Sequence, residues 1–224
     1  EVPFCWQSQF PDLRDYHGFA WYQRVFNISD THSDCRVVLH IGAVNYDPKV
    51  WVDDKLVGEF QGGYYPLEID LTNFVEFARD CVLTIRVYHP DPALINDYPH
   101  GKQTWYSFVG GIWQSTYIEI TSGIYVSDVF VIPDVENLKT QVTATVSNLP
   151  EDPTGFSIDL KLTSPEGEVT QSEFDIKESK VEMEMGLSKM LLWTLDSPQL
   201  YNVTITLKRD GKSIDEVSLT TGLR

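Results

Sequence analysis

The sequence predicts an all-β chain: a jelly-roll β-sandwich over residues 1–122, then an immunoglobulin-like β-sandwich over residues 123–224. Three observations carry that prediction. Short runs rich in Val, Ile, Trp and Tyr recur along the chain, separated by Asp, Gly, Pro and Ser, the punctuation of strands and turns. Helix signals are scarce, the best being Leu71 to Phe77. Aromatic residues divide unevenly, 22 of 28 lying in residues 1–124, whereas charge is shared evenly. Such a step predicts two globular units with different surfaces, joined at the small polar break Thr121-Ser122-Gly123.

In the first part, Ala20 to Ile28, Arg36 to Ile41, Val50-Trp51-Val52, Leu56 to Phe60, Val82 to Tyr88 and Thr116 to Ile120 read as strands. Asp53-Asp54 separates two apolar runs as a hairpin turn does. Six or more strands with long connections fit a jelly roll. The second part alternates more cleanly. Val142, Ala144 and Val146 share one face, as do Ile158, Leu160 and Leu162, and Val203, Ile205 and Leu207. Turn chemistry intervenes at Leu149 to Gly155, Ser164 to Gly167 and Arg209 to Lys212, the spacing of an immunoglobulin-like sandwich.

Composition removes several functions. A net charge of −16 and a pI near 4.5 argue against nucleic acid and against an anionic membrane surface, both of which need clustered Lys and Arg. No apolar run approaches ~18 residues, so no membrane span is expected. Cys5, Cys35 and Cys81 cannot all pair internally, and buried free thiols or at most one bridge are expected. A start at Glu1-Val2-Pro3 without Met reads as processed. That fits a bacterial periplasmic or secreted setting, with the cytoplasm as the alternative. No phosphate-binding glycine loop or GxSxG elbow occurs, and no cofactor is expected. Histidines 17, 32, 40, 89 and 100 never stand at metal-ligand spacing, so no metal ligand is assigned. A surface calcium site would leave no such spacing. The acidic pairs Asp53/Asp54 and Glu182/Glu184 are read as solvent-facing, leaving no acid–nucleophile pair. The triplets at Asn27 and Asn202 are read as chance sequons.

One stretch carries chemistry. From Tyr88 to Gln114 the chain mixes rings with Lys, Gln, His and Asp, and its irregular part is about twenty residues long, a length that is often functional. A pyranose offers apolar C–H faces and a hydroxyl rim, so rings below and polar groups around it suit a sugar. One ring covering ~40 Å² of sugar contributes about 1 kcal/mol, enough to position rather than to hold. The other reading is a loop whose rings pack against a neighbouring domain.

Several dispersed motifs then occur in a telling order. They are Arg14 to Phe26, Val50 to Gly58, Gln61 to Thr72, His100-Gly101-Lys102-Gln103, Gly110-Gly111-Ile112-Trp113-Gln114 and Tyr117-Ile118-Glu119. Together they resemble the jelly-roll (galactose-binding-like) sugar-binding domain of glycoside hydrolase family 2, which includes β-galactosidases, β-glucuronidases and β-mannosidases. The turn at Asp53-Asp54 departs from the family's usual Asn-Gly. Leu192 to Tyr201 and Thr220 to Arg224 resemble its immunoglobulin-like domain, with Leu223 where an aromatic is usual. The resemblance implies a (β/α)₈ barrel as partner, carrying the catalytic glutamates that this chain lacks. A barrel needs ~250 residues. It also implies that a loop of the first domain helps line the sugar pocket. Asp97, His100, Lys102 and Gln103 then bond sugar hydroxyls, and Trp105 or Tyr106 stacks on the carbohydrate. Trp113 is read as core packing and Tyr64 and Tyr65 as structural. The expectation is a non-catalytic region of a glycosidase, inactive alone. The alternatives are a free-standing carbohydrate-binding module and a structural sandwich pair.

Overall fold

Side-chain alternation decides where each strand lies in the structure, a computed structural model that describes residues 1–91 and 109–224. The chain divides between Ile120 and Thr121 into two compact units.

In the first unit the strands are β1 (Gly18–Asn27), β2 (Cys35–Ile41), β3 (Val44–Asn45), β4 (Asp47–Val52), β5 (Lys55–Glu59), β6 (Leu67–Asp70), β7 (Asp80–His89), β8 (Gly111–Ile112) and β9 (Thr116–Ser122). They form sheets in the orders β1-β7-β4-β5, β6-β2-β9 and β3-β8. Val50, Val52, Leu83, Ile85 and Val87 of the first sheet meet Val37, Leu39, Ile41, Leu67 and Ile69 of the second in one apolar core. Each such side chain contributes roughly 1.5–3 kcal/mol on leaving water. The core is jelly-roll in kind, and all six strands expected in this part are present.

The second unit has β10 (Tyr125–Asp134), β11 (Lys139–Ser147), β12 (Phe156–Thr163), β13 (Val169–Asp175), β14 (Lys180–Gly186), β15 (Tyr201–Arg209) and β16 (Lys212–Thr221). Its sheets are β10-β11-β14 and β13-β12-β15-β16. The three apolar triplets expected to share faces are all buried in its core. Asp210 and Gly211, at φ of 49° and 72°, make the two-residue turn that suits the strand twist. Asp215 accepts the Val126 amide at 2.8 Å, tying the first strand of one sheet to the last strand of the other. Buried Tyr201, at the start of β15, accepts the Leu191 amide through its hydroxyl at 2.8 Å, a tyrosine corner of the immunoglobulin type.

Two expectations need correction. Leu71 to Phe77 is a turn, not a helix. Phe74 and Val75 donate to Leu71 O at 2.8 and 3.1 Å and close a single turn, but Ala78 then takes φ 58° and donates to Ile28 O at 2.7 Å, so the helical ladder does not continue. The one α-helix among the described residues is Trp6–Gln9. Asp53 is not simply solvent-facing. It sits at φ 51°, accepts the Val82 amide at 2.9 Å and pairs with Arg79 at 2.7 Å. Those bonds hold its carboxyl below the usual carboxylate range. The three cysteines are free, Cys81 buried and Cys5 and Cys35 half-buried.

Candidate functional site

Asp97, His100, Lys102, Gln103, Trp105 and Tyr106 lie outside the described residues. What the structure provides is the ground on either side of segment 92–108, where β7 ends and β8 begins.

β7 ends at His89, which is fully buried. Its ring stacks on His17 at 5.0 Å and meets the Trp6 indole edge-on at 5.7 Å. Burial, with His17 beside it, pushes the His89 imidazole down to about 4, so it is neutral near pH 7. On the returning side, a Cβ on Gly110 would run into the Trp6 indole and His89. Gly111, at φ +101°, lies against the Tyr22 hydroxyl. Burial pushes the Tyr22 phenol up, opposed by a backbone hydrogen bond at Ile112. The N-terminal segment braces this ground. Phe4 donates to Ile112 O at 3.0 Å, Trp6 donates to Gly110 O at 3.2 Å, and Gln7 accepts the Gly110 amide at 2.9 Å.

β3 flanks the same place, with Asn45 opposite Gly111. Gly63 fits against the buried Asn45 amide, and Trp113 donates its indole N–H to Gly63 O at 2.9 Å. Trp113 is half-buried, so it is a hydrogen-bonded wall rather than the core residue expected. Tyr64 leans edge-on against it at 5.8 Å yet stays 67 % exposed. Tyr65 donates to Gln61 O and so closes its own turn.

A second feature escaped sequence reasoning. On the outer face of β1-β7-β4-β5, register places Phe19 opposite Tyr88, Trp21 opposite Arg86, and Trp51 opposite Thr84. Phe19 and Tyr88 stack at 4.6 Å, and Arg86 lies over the Phe19 ring at 4.9 Å. Trp21 and Trp51 stack at 5.7 Å across the intervening strand. Trp21 remains 63 % exposed, and Leu56 and Val25 extend the patch. Only cross-strand register reveals it. The available signal was a run with rings at alternate positions 19 and 21 beside a second ring at 51. Among the described residues, no group of three or more His, Cys, Asp or Glu is arranged to hold a metal.

A jelly-roll unit preceding an immunoglobulin-like unit, with an apolar face left open, defines the class: a tandem β-sandwich protein. Sequence comparison narrows this. The model "Glycosyl hydrolases family 2, sugar binding domain" matches residues 1–129, and "Glycosyl hydrolases family 2" matches residues 124–224. The chain belongs to glycosyl hydrolases family 2, and it corresponds to the N-terminal portion of its relatives. A β-galactosidase of Thermoanaerobacter pseudethanolicus is 27 % identical over 94 % of this chain and 29 % of its own length. A β-glucuronidase of Bacteroides fragilis is 24 % identical over the whole chain and 34 % of its own length. Among solved structures, a family 2 member from Bacteroides cellulosilyticus superposes with a TM-score of 0.81 at 22 % identity, covering all of this chain and 32 % of that one. The chain thus spans about a third of the length of the relatives it matches.

Proposed function

We propose that this chain is the supporting region of a larger glycosidase that cleaves β-glycosidic bonds, acting with a C-terminal (β/α)₈ barrel. The observation that carries this is the continuous match of both units to the first third of β-galactosidases and β-glucuronidases. Within that reading the chain has two tasks. The loop around Asp97 to Tyr106 lines the sugar pocket, with Asp97, His100, Lys102 and Gln103 bonding hydroxyls and Trp105 or Tyr106 stacking. Its flanks support this role, because buried His89, Gly110 and the Trp6 brace fix both points of departure.

The second task is to seat the barrel. The Phe19, Trp21, Trp51 and Tyr88 face suits a protein partner better than a sugar. Its rings already occupy one another's faces, so they offer edges and flanks, while stable interfaces are rich in aromatic residues and Arg.

The test uses the enzyme at the full length of its relatives, with 4-nitrophenyl β-D-galactoside and β-D-glucuronide as substrates. Turnover by that protein and none by the 224-residue chain is expected. Trp105→Ala with Tyr106→Ala should raise KM with little change in melting temperature, and unchanged kinetics would remove the segment from the pocket. Trp21→Ser with Phe19→Ser should lower the melting temperature of the full-length enzyme but hardly that of the 224-residue chain. Equal effects on both would remove that face as the seat.

A further inference from the structure

The immunoglobulin-like unit has two outer sheet faces, and they are built differently. On β13-β12-β15-β16 the outward residues are polar apart from Val169 at the start of β13, and most of them bond one another. Lys208 pairs with Asp159 at 3.1 Å, Thr204 bonds Ser218 at 2.9 Å, Thr206 bonds Glu216 at 3.1 Å, and Thr220 bonds Asn202 at 3.1 Å. That face is finished for water.

On β10-β11-β14, register sets three outward rows: Asp128, Thr145 and Lys180; Phe130, Thr143 and Glu182; Ile132, Gln141 and Glu184. Phe130 is 61 % exposed and Ile132 is 48 % exposed, although every neighbour in their rows is polar. No described aromatic ring or guanidinium lies on the Phe130 ring, in contrast to Phe19 in the first unit. The side chains of Gln141 and Thr143 make no hydrogen bond to another described residue. Together these residues line an open depression of ≈ 510 Å³, within the ~300–1,000 Å³ of small-molecule clefts.

We propose that this depression is a saccharide-binding surface, separate from the pocket assigned to the loop around Asp97 to Tyr106, with β-linked hexopyranosides as its ligand class. The inference rests on reading the chain as part of a carbohydrate-active protein. A sugar ring lays an apolar C–H face on Phe130, with Ile132 extending the apolar strip under the next residue. Gln141 and Thr143 supply both donors and acceptors for hydroxyls, and Glu182 and Glu184, ion-paired with Lys180 at 3.4 Å and Lys139 at 2.6 Å, accept hydrogen bonds from hydroxyls with their remaining lone pairs. A protein partner fits less well, because interface cores are depleted in charged residues whereas this floor keeps Lys180, Glu182, Glu184 and Asp128. One ring and a strip of side chains bind weakly, which suits a surface that holds a polymer near a catalytic site.

The test is amide chemical-shift titration of the 224-residue chain with cellotetraose and with β-1,4-galactotetraose. Saturable shifts on β10, β11 and β14 are expected with at least one probe. Phe130→Ala should weaken binding about fivefold or more, the loss of one covered ring, and Trp105→Ala with Tyr106→Ala should leave it unchanged. Phe130 is exposed, so its variant keeps the core intact. The proposal is overturned by silence with both probes at their solubility limit, or by shifts that survive Phe130→Ala. Shifts of the same amides on raising protein concentration alone would assign the face to a second copy instead. Shifts confined to residues 97–106 would overturn it while leaving the pocket reading standing.

Discussion

The four-stranded outer faces of the two units follow the same alternation and end with opposite chemistry. In the first unit, Phe19, Trp21, Trp51 and Tyr88 stand outward in stacked pairs. In the second, Asp159, Thr204, Thr206, Lys208, Glu216 and Ser218 stand outward and bond one another in pairs. Beneath both faces lies the same kind of core, with Ile85 3 % exposed and Ile205 fully buried. The inner face of a strand therefore records folding, and the outer face records what the strand must meet. A finished polar face meets water. A ring-bearing face in a protein this acidic awaits a surface that removes it from water.

That contrast can be broken in several ways. The largest effect tests the equivalence of the inner faces: Ile85→Ala and Ile205→Ala should each cost about 2–5 kcal/mol in urea denaturation. A large gap between them would show that the two cores are not comparable. The next effect belongs to the first unit alone, since all five histidines lie there. His89 is held neutral down to about pH 4, whereas in the unfolded chain it takes its proton near 6.5. Its folded pKa is depressed, so stability is complete above pH 6.5 and drains as pH falls from 6.5 towards 4. The loss is on the order of 3 kcal/mol. Residue-resolved urea melts should show β7 weakening across that window while β15 holds, and a first unit as stable at pH 4.5 as at pH 7 would contradict the burial of His89.

Glycines give a smaller contrast. Gly110→Ala drives a methyl into Trp6 and His89 and should cost about 1–3 kcal/mol, whereas Gly186→Ala meets nothing within 4 Å and should be neutral or slightly stabilising. Thermal melts of the two variants check it. The smallest effect is on the faces themselves. Trp21→Ser in the 224-residue chain should cost about 1 kcal/mol or less, the worth of a stacked pair, and should raise solubility. Precipitation assays read the second half of that expectation.

Much of this architecture was legible in the sequence because period-2 alternation is local. The six runs in the first part became strands, and the triplets at 142–146, 158–162 and 203–207 became strands with the expected face inward. β3 and β8, two residues each, are too short to show any period. Leu71 to Phe77 misled because its apolar spacing serves the core through a turn. Trp6–Gln9 is one helical turn held by tertiary contacts, with no side-chain cap to announce it. The outer-face patches were not legible, since neither the Trp21–Trp51 stack nor the Phe130–Thr143–Glu182 row exists until three strands are in register. Asp53 was read as a turn residue and is one, but its partners Arg79 and Val82 lie more than twenty positions away. Asp97, His100, Lys102, Gln103, Trp105 and Tyr106 were assigned to a sugar from composition and resemblance, and the ground at His89 and Gly110 is what the fold contributes.

The contact between Gln7 and Gly110 spans 103 positions. A closure that wide forms late, because the loop it encloses must first be gathered in. During synthesis, residues 4–9 leave the ribosome before β8 and have nowhere to lodge until it follows more than a hundred residues later. Until then the indole of Trp6 hangs in water and the ground around His89 lies open. The opening stretch of this chain is thus its last latch to close, and trimming it in an expression vector would leave a molecule that looks folded by circular dichroism but is unlocked where β7 ends and β8 begins.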